Sequence, residues 1–194
     1  MLPAKRLRER LARHEITTGI LATQHCWPDL VEVCFRAGLD YLIIDGEHGM
    51  ASPELIAECC AIGRHLEFPV LLRPQNNGYA TLRLSMDLGP CGFLLACVDS
   101  AAQLDDISKA VWLPPRGERR PGGAGNRWVD NFRYEAWKTE VEDDFIVLPQ
   151  IETRVGLSNV ADIAQHPLTT ALALGPYDLS AELGVCGIMD APIL

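Results

Sequence analysis

The chain has 194 residues, 48% hydrophobic and 22% charged, a composition that suits a soluble globular protein large enough for one substantial core. Its formal charge of −9 argues against nucleic acid as a partner, because phosphate binding needs clustered Lys and Arg to release counterions. Small anionic substrates stay open, since they see local charge, and without a window of about 18 uninterrupted apolar residues no membrane span is expected.

The first segment, MLPAKRLRERLARHE, has the basic start of a signal peptide but not its apolar middle. It reads as an amphipathic helix with Leu2, Leu7 and Leu11 as candidate buried positions. Short apolar runs then alternate with stretches of helical spacing. The predicted strands are TGILAT (18–23), YLIID (41–45), VLLRP (70–74), GFLLACV (92–98), FIVLPQIE (145–152) and ALALG (171–175). Between them PDLVEVCFRAG and SPELIAECCAIGRH have helical patterning, with Pro28 and Pro53 suited to first turns, and AAQLDDISKAV and GLSNVADIAQH continue the alternation. Near-continuous apolar strands followed by helices indicate a parallel sheet buried on both faces.

Such an alternation fits an open doubly wound sheet or most of an eight-fold barrel. The polar residues decide between them. Asp45 to His48, Arg73, Asp99, Gln150 with Glu152, and Asp178 all fall at or just beyond the C-terminal ends of different strands. An open sheet concentrates such groups at one switch point, whereas a barrel collects them from many strands. The expectation is therefore an α/β (β/α)8 TIM barrel, one partial domain over 1–194, C-terminally truncated with about six of eight strands, because such barrels usually need about 250 residues. The long Gly, Pro and Arg-rich segment PPRGERRPGGAGNRW (114–128) is of a length that tends to make a functional lid or a disordered loop.

The seven cysteines, at 26, 34, 59, 60, 91, 97 and 186, form an odd set without a CxxC pair. They read as buried thiols of a reducing cytoplasm, with no functional signal. Glu152 and Asp178 each follow an apolar strand, and adjacent barrel strands would bring their carboxylates together. Two such groups repel unless a cation lies between them; oxygen-only ligation suits a hard divalent ion. The plainer alternative is that each begins a helix. His48 follows Asp45 by three residues, a spacing that lets the carboxylate orient the imidazole for general-base work, although an ordinary loop histidine fits as well. Arg73 ends an otherwise apolar strand and needs an anion, either a substrate oxygen or a neighbouring carboxylate. In GPYD the turn into a helix offers free N–H groups of Tyr177, Asp178 and Gly175, Pro176 having none. The three lysines, Lys5, Lys109 and Lys138, do not end apolar strands, which disfavours a Schiff-base mechanism.

LIIDGEHG, LLRP, PPRGERRPGG, PQIET and GPYDLSAELG occur in this order across nearly the whole chain. Together they resemble the HpcH/HpaI aldolases, metal-dependent pyruvate aldolases of the phosphoenolpyruvate/pyruvate barrel superfamily, including 4-hydroxy-2-oxoheptanedioate and 2-keto-3-deoxy-L-rhamnonate aldolases. The resemblance implies a metal (Mg²⁺, Mn²⁺ or Co²⁺) on Glu152 and Asp178, and Arg73 on the substrate's keto or enolate oxygen. It also implies an acid-base dyad of His48 with Asp45, and Glu47 in the metal's outer water shell. Gln150, Gly175, Pro176 and Tyr177 would bind substrate, and Asp87 would reach a neighbouring subunit's site in a homo-oligomer, a hexamer in the family. The implied reaction is retro-aldol cleavage of a 4-hydroxy-2-oxoacid to pyruvate and an aldehyde, with the His48–Asp45 pair or a metal-held water as base. Loops near 76–79 and 116–127 are expected to set substrate length. Alternatives are a citryl/malyl-CoA lyase and an inert fragment that binds only metal or partner subunits. Tyr177 departs from the small residue usual at its place, and would either narrow the pocket or turn outward.

Overall fold

The computed structural model describes residues 1–130 and 132–194. Its strands lie within the apolar runs: β1 Gly19–Ala22, β2 Tyr41–Asp45, β3 Val70–Arg73, β4 Gly92–Leu95, β5 Ile146–Ile151 and β6 Ala173–Leu174. Every residue of β3 and β4 is buried, as are Leu42 to Asp45 in β2. Strands apolar on both faces must be covered on both. The helices that pack around the sheet are α1 Leu2–Ala12, α2 Asp29–Arg36, α3 Pro53–His65, α4 Tyr79–Asp87, α5 Ala101–Val111, α6 Tyr134–Trp137, α7 Arg154–Ser158, α8 Val160–Gln165 and α9 Pro176–Glu182.

Among the described residues the strands form one parallel sheet in the order β1-β2-β3-β4-β5-β6. A doubly wound sheet reverses its order at a switch point. Without that reversal each strand joins the growing edge in turn, and the sheet curls into a half-barrel with six of the strands of a TIM barrel. Its β1 and β6 edges are not paired with each other, and Ile20, Leu21 and Leu174 on them are exposed.

Helix α1 lies across the N-terminal ends of the strands, and its basic residues meet the segments that enter them. Arg6 pairs with Glu67 at 2.7 Å, ahead of β3, and Arg10 with Asp40, ahead of β2. Arg8 donates to the Phe145 carbonyl at 3.1 Å and to Thr170 Oγ1 at 2.7 Å, ahead of β5 and β6. Pro3, Ala4 and Leu7 are buried while Leu2 is exposed and Leu11 half-buried. The expected apolar stripe is thus rotated, because small residues let the helix sit close to the strand ends.

Other expectations change in detail. GLSNVADIAQH is broken into α7 and α8 at Asn159, whose side chain donates to the Asp99 carbonyl at 2.8 Å. Pro28 is the cap residue of α2, whereas Pro53 does sit in the first turn of α3 behind a Ser52 cap whose Oγ accepts from Leu55 N. Helices α4 and α6 have no strong sequence signal: the cap residue of α4 is Gly78, which has no side chain to cap it. Segment 114–128 packs against α4. It follows α5 back along the outside of α4, where Arg119 is fully buried between Asp87 (3.3 Å) and the Trp137 ring, and a Cβ at Gly123 would lie 2.6 Å from that of Asp87. Of the loop expected at 116–127 to set substrate length, Glu118 accepts from the Tyr79 hydroxyl at 2.9 Å, and Tyr79 lines a cavity shared with Glu47 and Cys97.

Candidate active site

The run YLIID delivers Asp45 to the end of β2, where the strand register sets it directly opposite Arg73 on β3. The two form a buried ion pair, with Arg73 Nε donating to Asp45 Oδ1 at 2.8 Å and Nη2 to Oδ2. Oδ1 also accepts the backbone N–H groups of Glu47 (3.0 Å) and His48 (3.2 Å), folding the turn around the carboxylate. The turn closes tightly enough that a Cβ at Gly49 would lie 1.9 Å from the Asp45 carbonyl oxygen. Burial alone would raise the Asp45 carboxyl, but the Arg73 guanidinium and the His48 N–H outweigh it and hold it at about 2. The expected Asp45–His48 dyad is therefore corrected in one respect. Asp45 holds the His48 backbone, and its oxygens are taken by Arg73. The exposed His48 ring lies instead with Nε2 3.9 Å from Glu47, and Glu47 also faces Arg73 Nη1 at 3.3 Å.

Glu152, just past β5, is buried, and its Oε1 accepts the Cys97 N–H at 2.6 Å. Cys97 has φ 51°, so a left-handed residue aims that N–H across from the end of β4. On the other side, a Cβ at Gly175 would meet Glu152 Oε2 at 2.3 Å and Gln150 Nε2 at 2.7 Å; the carboxylate fills the space glycine leaves. Glu47, His48, Cys97, Glu152, Thr153 and Asp178 line one cavity of about 400 Å³. Burial pushes the Glu152 carboxyl upward, the Cys97 N–H opposes this, and the negative charges of Asp178 and Glu47 push it further. The two carboxylates proposed from spacing thus line the same cavity. Asp178 is exposed in the first turn of α9, not a cap.

These residues sit in a chain whose segment 23–191 matches the family profile described as HpcH/HpaI aldolase/citrate lyase. The chain belongs to that family. It is 35% identical over 169 residues to a 4-hydroxy-2-oxovalerate aldolase of Novosphingobium aromaticivorans, covering 86% of this chain and 63% of that protein. It is 31% identical over 179 residues to a 2-keto-3-deoxy-L-rhamnonate aldolase of Shigella boydii, covering 91% and 66%. The chain therefore spans slightly less than two thirds of each of these relatives. The crystal structure of an HpcH/HpaI aldolase from Desulfitobacterium hafniense superposes with TM-score 0.87 at 27% identity, over 96% of this chain and 72% of that one.

The remaining candidates of the HpcH/HpaI reading fall in different places. Gln150 is buried beside Gly175 with its Oε1 unpartnered, an acceptor left for something in the mouth. The Gly175 N–H is not free: it donates to the Ile151 carbonyl at 3.0 Å, continuing the β5–β6 ladder, so only the first N–H groups of α9 remain. Pro176 begins α9, and Tyr177 is exposed, which resolves the question of its direction outward. Asp87 is not in the carboxylate cavity. It ends α4 paired with Arg119 and Arg83 (3.5 Å) and borders a separate cavity with Met50 and Leu84. Cys97 had no sequence signal, since a cysteine in an apolar run looks like core. Among the described residues all seven cysteines are free, and Cys97 and Cys186 are exposed. Burial and the adjacent Glu152 push the Cys97 thiol up to about 12, which keeps it a neutral wall.

The donor set fits a hard dication in a limited way. Among the described residues no group of three or more His, Cys, Asp or Glu is poised as a ligand cluster, so Glu152 and Asp178 would leave most positions to water and substrate oxygens. That is the usual arrangement for Mg²⁺-type ions.

Proposed function

We propose that the chain carries the catalytic mouth of a divalent-metal-dependent aldolase, which cleaves a 4-hydroxy-2-oxoacid to pyruvate and an aldehyde. The observation that supports it most is the shared cavity of Glu152, Asp178, Glu47 and His48, in which the Glu152 carboxyl is raised by burial and by its acidic neighbours. Such a group accommodates a proton or a cation, and family membership favours the cation.

In this reading Glu152 and Asp178 hold the metal, whose charge, when bound, stabilises the enolate that develops on the pyruvate half. Cys97 N–H and Gly175 keep the Glu152 carboxylate facing the cavity. Arg73, pinned by Asp45 and Glu47, presents positive charge toward the mouth without needing to reorganise. The exposed His48 ring, with Glu47 3.9 Å away, takes the proton from the C4 hydroxyl as the carbon–carbon bond breaks, and Glu47 stabilises the resulting imidazolium. Gln150 Oε1 accepts a hydrogen bond from bound water or substrate. Among the described residues no lysine lines the cavity; Lys109 and Lys138 pair with Asp106 and Asp143.

Exposed Met50 and Leu84 beside Asp87 support the further reading that the protein is a homo-oligomer with Asp87 near a subunit boundary. No helix among the described residues is long and apolar enough to cross a membrane. The test is pyruvate release from 4-hydroxy-2-oxoacids with added Mn²⁺ or Mg²⁺ and after chelation. Release that needs the ion supports the assignment. Release that survives complete metal removal, or a lysine adduct trapped by borohydride, defeats it.

A further inference from the structure

The carboxylate cavity has a neighbour. Glu47 and Cys97 line both it and a second cavity of about 540 Å³, a volume within the range of small-molecule sites. The far wall of this second cavity is made of Gln75, Asn76 and Tyr79, which follow β3, and of Gln103 and Asp106 on α5.

The hydrogen bonds already made on this wall leave both donors and acceptors over. Asn76 Oδ1 accepts the Gly78 N–H at 2.9 Å, leaving its NH₂ group. Gln103 Oε1 accepts from Asp99 N at 2.9 Å and its Nε2 donates to the Cys97 carbonyl at 3.2 Å, leaving one N–H. Asn77 Nδ2 donates to the Ala96 carbonyl at 2.6 Å, leaving its oxygen, and Tyr79 donates to the Glu118 carbonyl at 2.9 Å and keeps its oxygen as an acceptor. Gln75 is exposed and adds a whole amide.

The charges are one-sided. Among the described residues no Lys or Arg lines this cavity, whereas Glu47 and Asp106 do. Lys109 lies outside the lining with its Nζ 2.6 Å from Asp106. A hydroxyl group both donates and accepts, matching what the amides and the phenol offer. A second carboxylate would meet acidic groups in the lining, while the nearest cations, Arg73 and Lys109, lie behind it already paired with Glu47 and Asp106.

We propose that this second cavity is the subsite for the aldehyde half of the substrate, and that it selects a neutral, hydroxyl-bearing aldehyde over one carrying a terminal carboxylate. The proposal rests on the aldolase reading above, with the carbon–carbon bond lying across the Glu47–Cys97 boundary.

Aldol addition of pyruvate to two four-carbon aldehydes, erythrose and succinic semialdehyde, tests it on the full chain with Mn²⁺, beside Gln75→Lys. Deuterium exchange into the pyruvate methyl group, followed by NMR without aldehyde, reports on the oxoacid end alone. The expected result is exchange in both proteins, a wild-type preference for erythrose of about tenfold or more in kcat/KM, and a smaller preference in Q75K through improved use of the semialdehyde. Exchange accompanied by equal or better use of the semialdehyde, or a preference that Q75K leaves untouched, overturns the subsite and spares the aldolase reading. Absence of both exchange and addition in the wild type overturns the two together.

Discussion

The two ends of the half-barrel handle charge in opposite ways. At the N-terminal end of the strands, α1 brings arginines to waiting acceptors: Arg6 to Glu67, Arg8 to Phe145 O and Thr170, Arg10 to Asp40. At the C-terminal end, Glu47, Glu152 and Asp178 face one cavity, and Arg73 beside them is already engaged by Asp45 and Glu47. Matched charge at one end holds the fold together, while the surplus of negative charge at the other calls for a ligand.

The largest expected effect comes from the buried Asp45–Arg73 pair at the mouth. Arg73→Met would strand the Asp45 carboxylate and should cost ~3–5 kcal/mol in urea denaturation. The double variant Asp45→Asn with Arg73→Met should recover much of that loss. If Arg73→Met is near neutral, Asp45 is solvated in solution and the mouth is looser than described.

Next come the unmatched carboxylates. Glu152→Gln or Asp178→Asn should lower pyruvate formation by about 10²–10³. Both should also abolish the rise in melting temperature on adding Mn²⁺, since a ligand that binds only the native state stabilises it. A metal-dependent melting shift that persists in both variants would move the ion elsewhere.

Acid should reveal the Asp45 pair separately. Its carboxyl is held at about 2 in the folded protein, below its value in the unfolded chain. The pair therefore contributes fully above about pH 4, and that contribution of ~2 kcal/mol is lost as pH falls from about 4 toward 2. The stability difference between wild type and Asp45→Asn, followed by denaturation between pH 6 and 2.5, should shrink in that window.

The smallest effect belongs to the opposite end. Arg6→Ala removes an exposed ion pair with Glu67 and should change stability by less than ~1 kcal/mol, less again in high salt. A loss as large as that of Arg73→Met would erase the contrast between the two ends.

Much of this was readable before any coordinates. Uninterrupted Val, Ile and Leu runs mark strands covered on both faces, and polar residues at the ends of several runs mark a curled sheet, because only a curl brings many strand ends together. That Glu152 and Asp178 share one cavity was legible for that reason. Cys97 was not: nothing in GFLLACV tells that the strand stops at Leu95 and that the cysteine turns left-handed to hold Glu152. Nor does the spacing of Asp45 and His48 reveal which atom of the histidine the carboxylate meets. Nor does the length of the 116–127 loop say that its Glu118 carbonyl meets the Tyr79 hydroxyl.

Local chemistry along the chain was enough to determine the alternation of strand and helix, the parallel class and the candidate acids, since burial periodicity and residue type are properties of short segments. Partnership was decided only by tertiary structure. Strand register gave Asp45 to Arg73 rather than to the His48 ring, and the β5–β6 ladder took the Gly175 N–H. The physical reason is that hydrogen bonds and ion pairs act over a few ångströms, and only the packed fold sets which distant groups come that close.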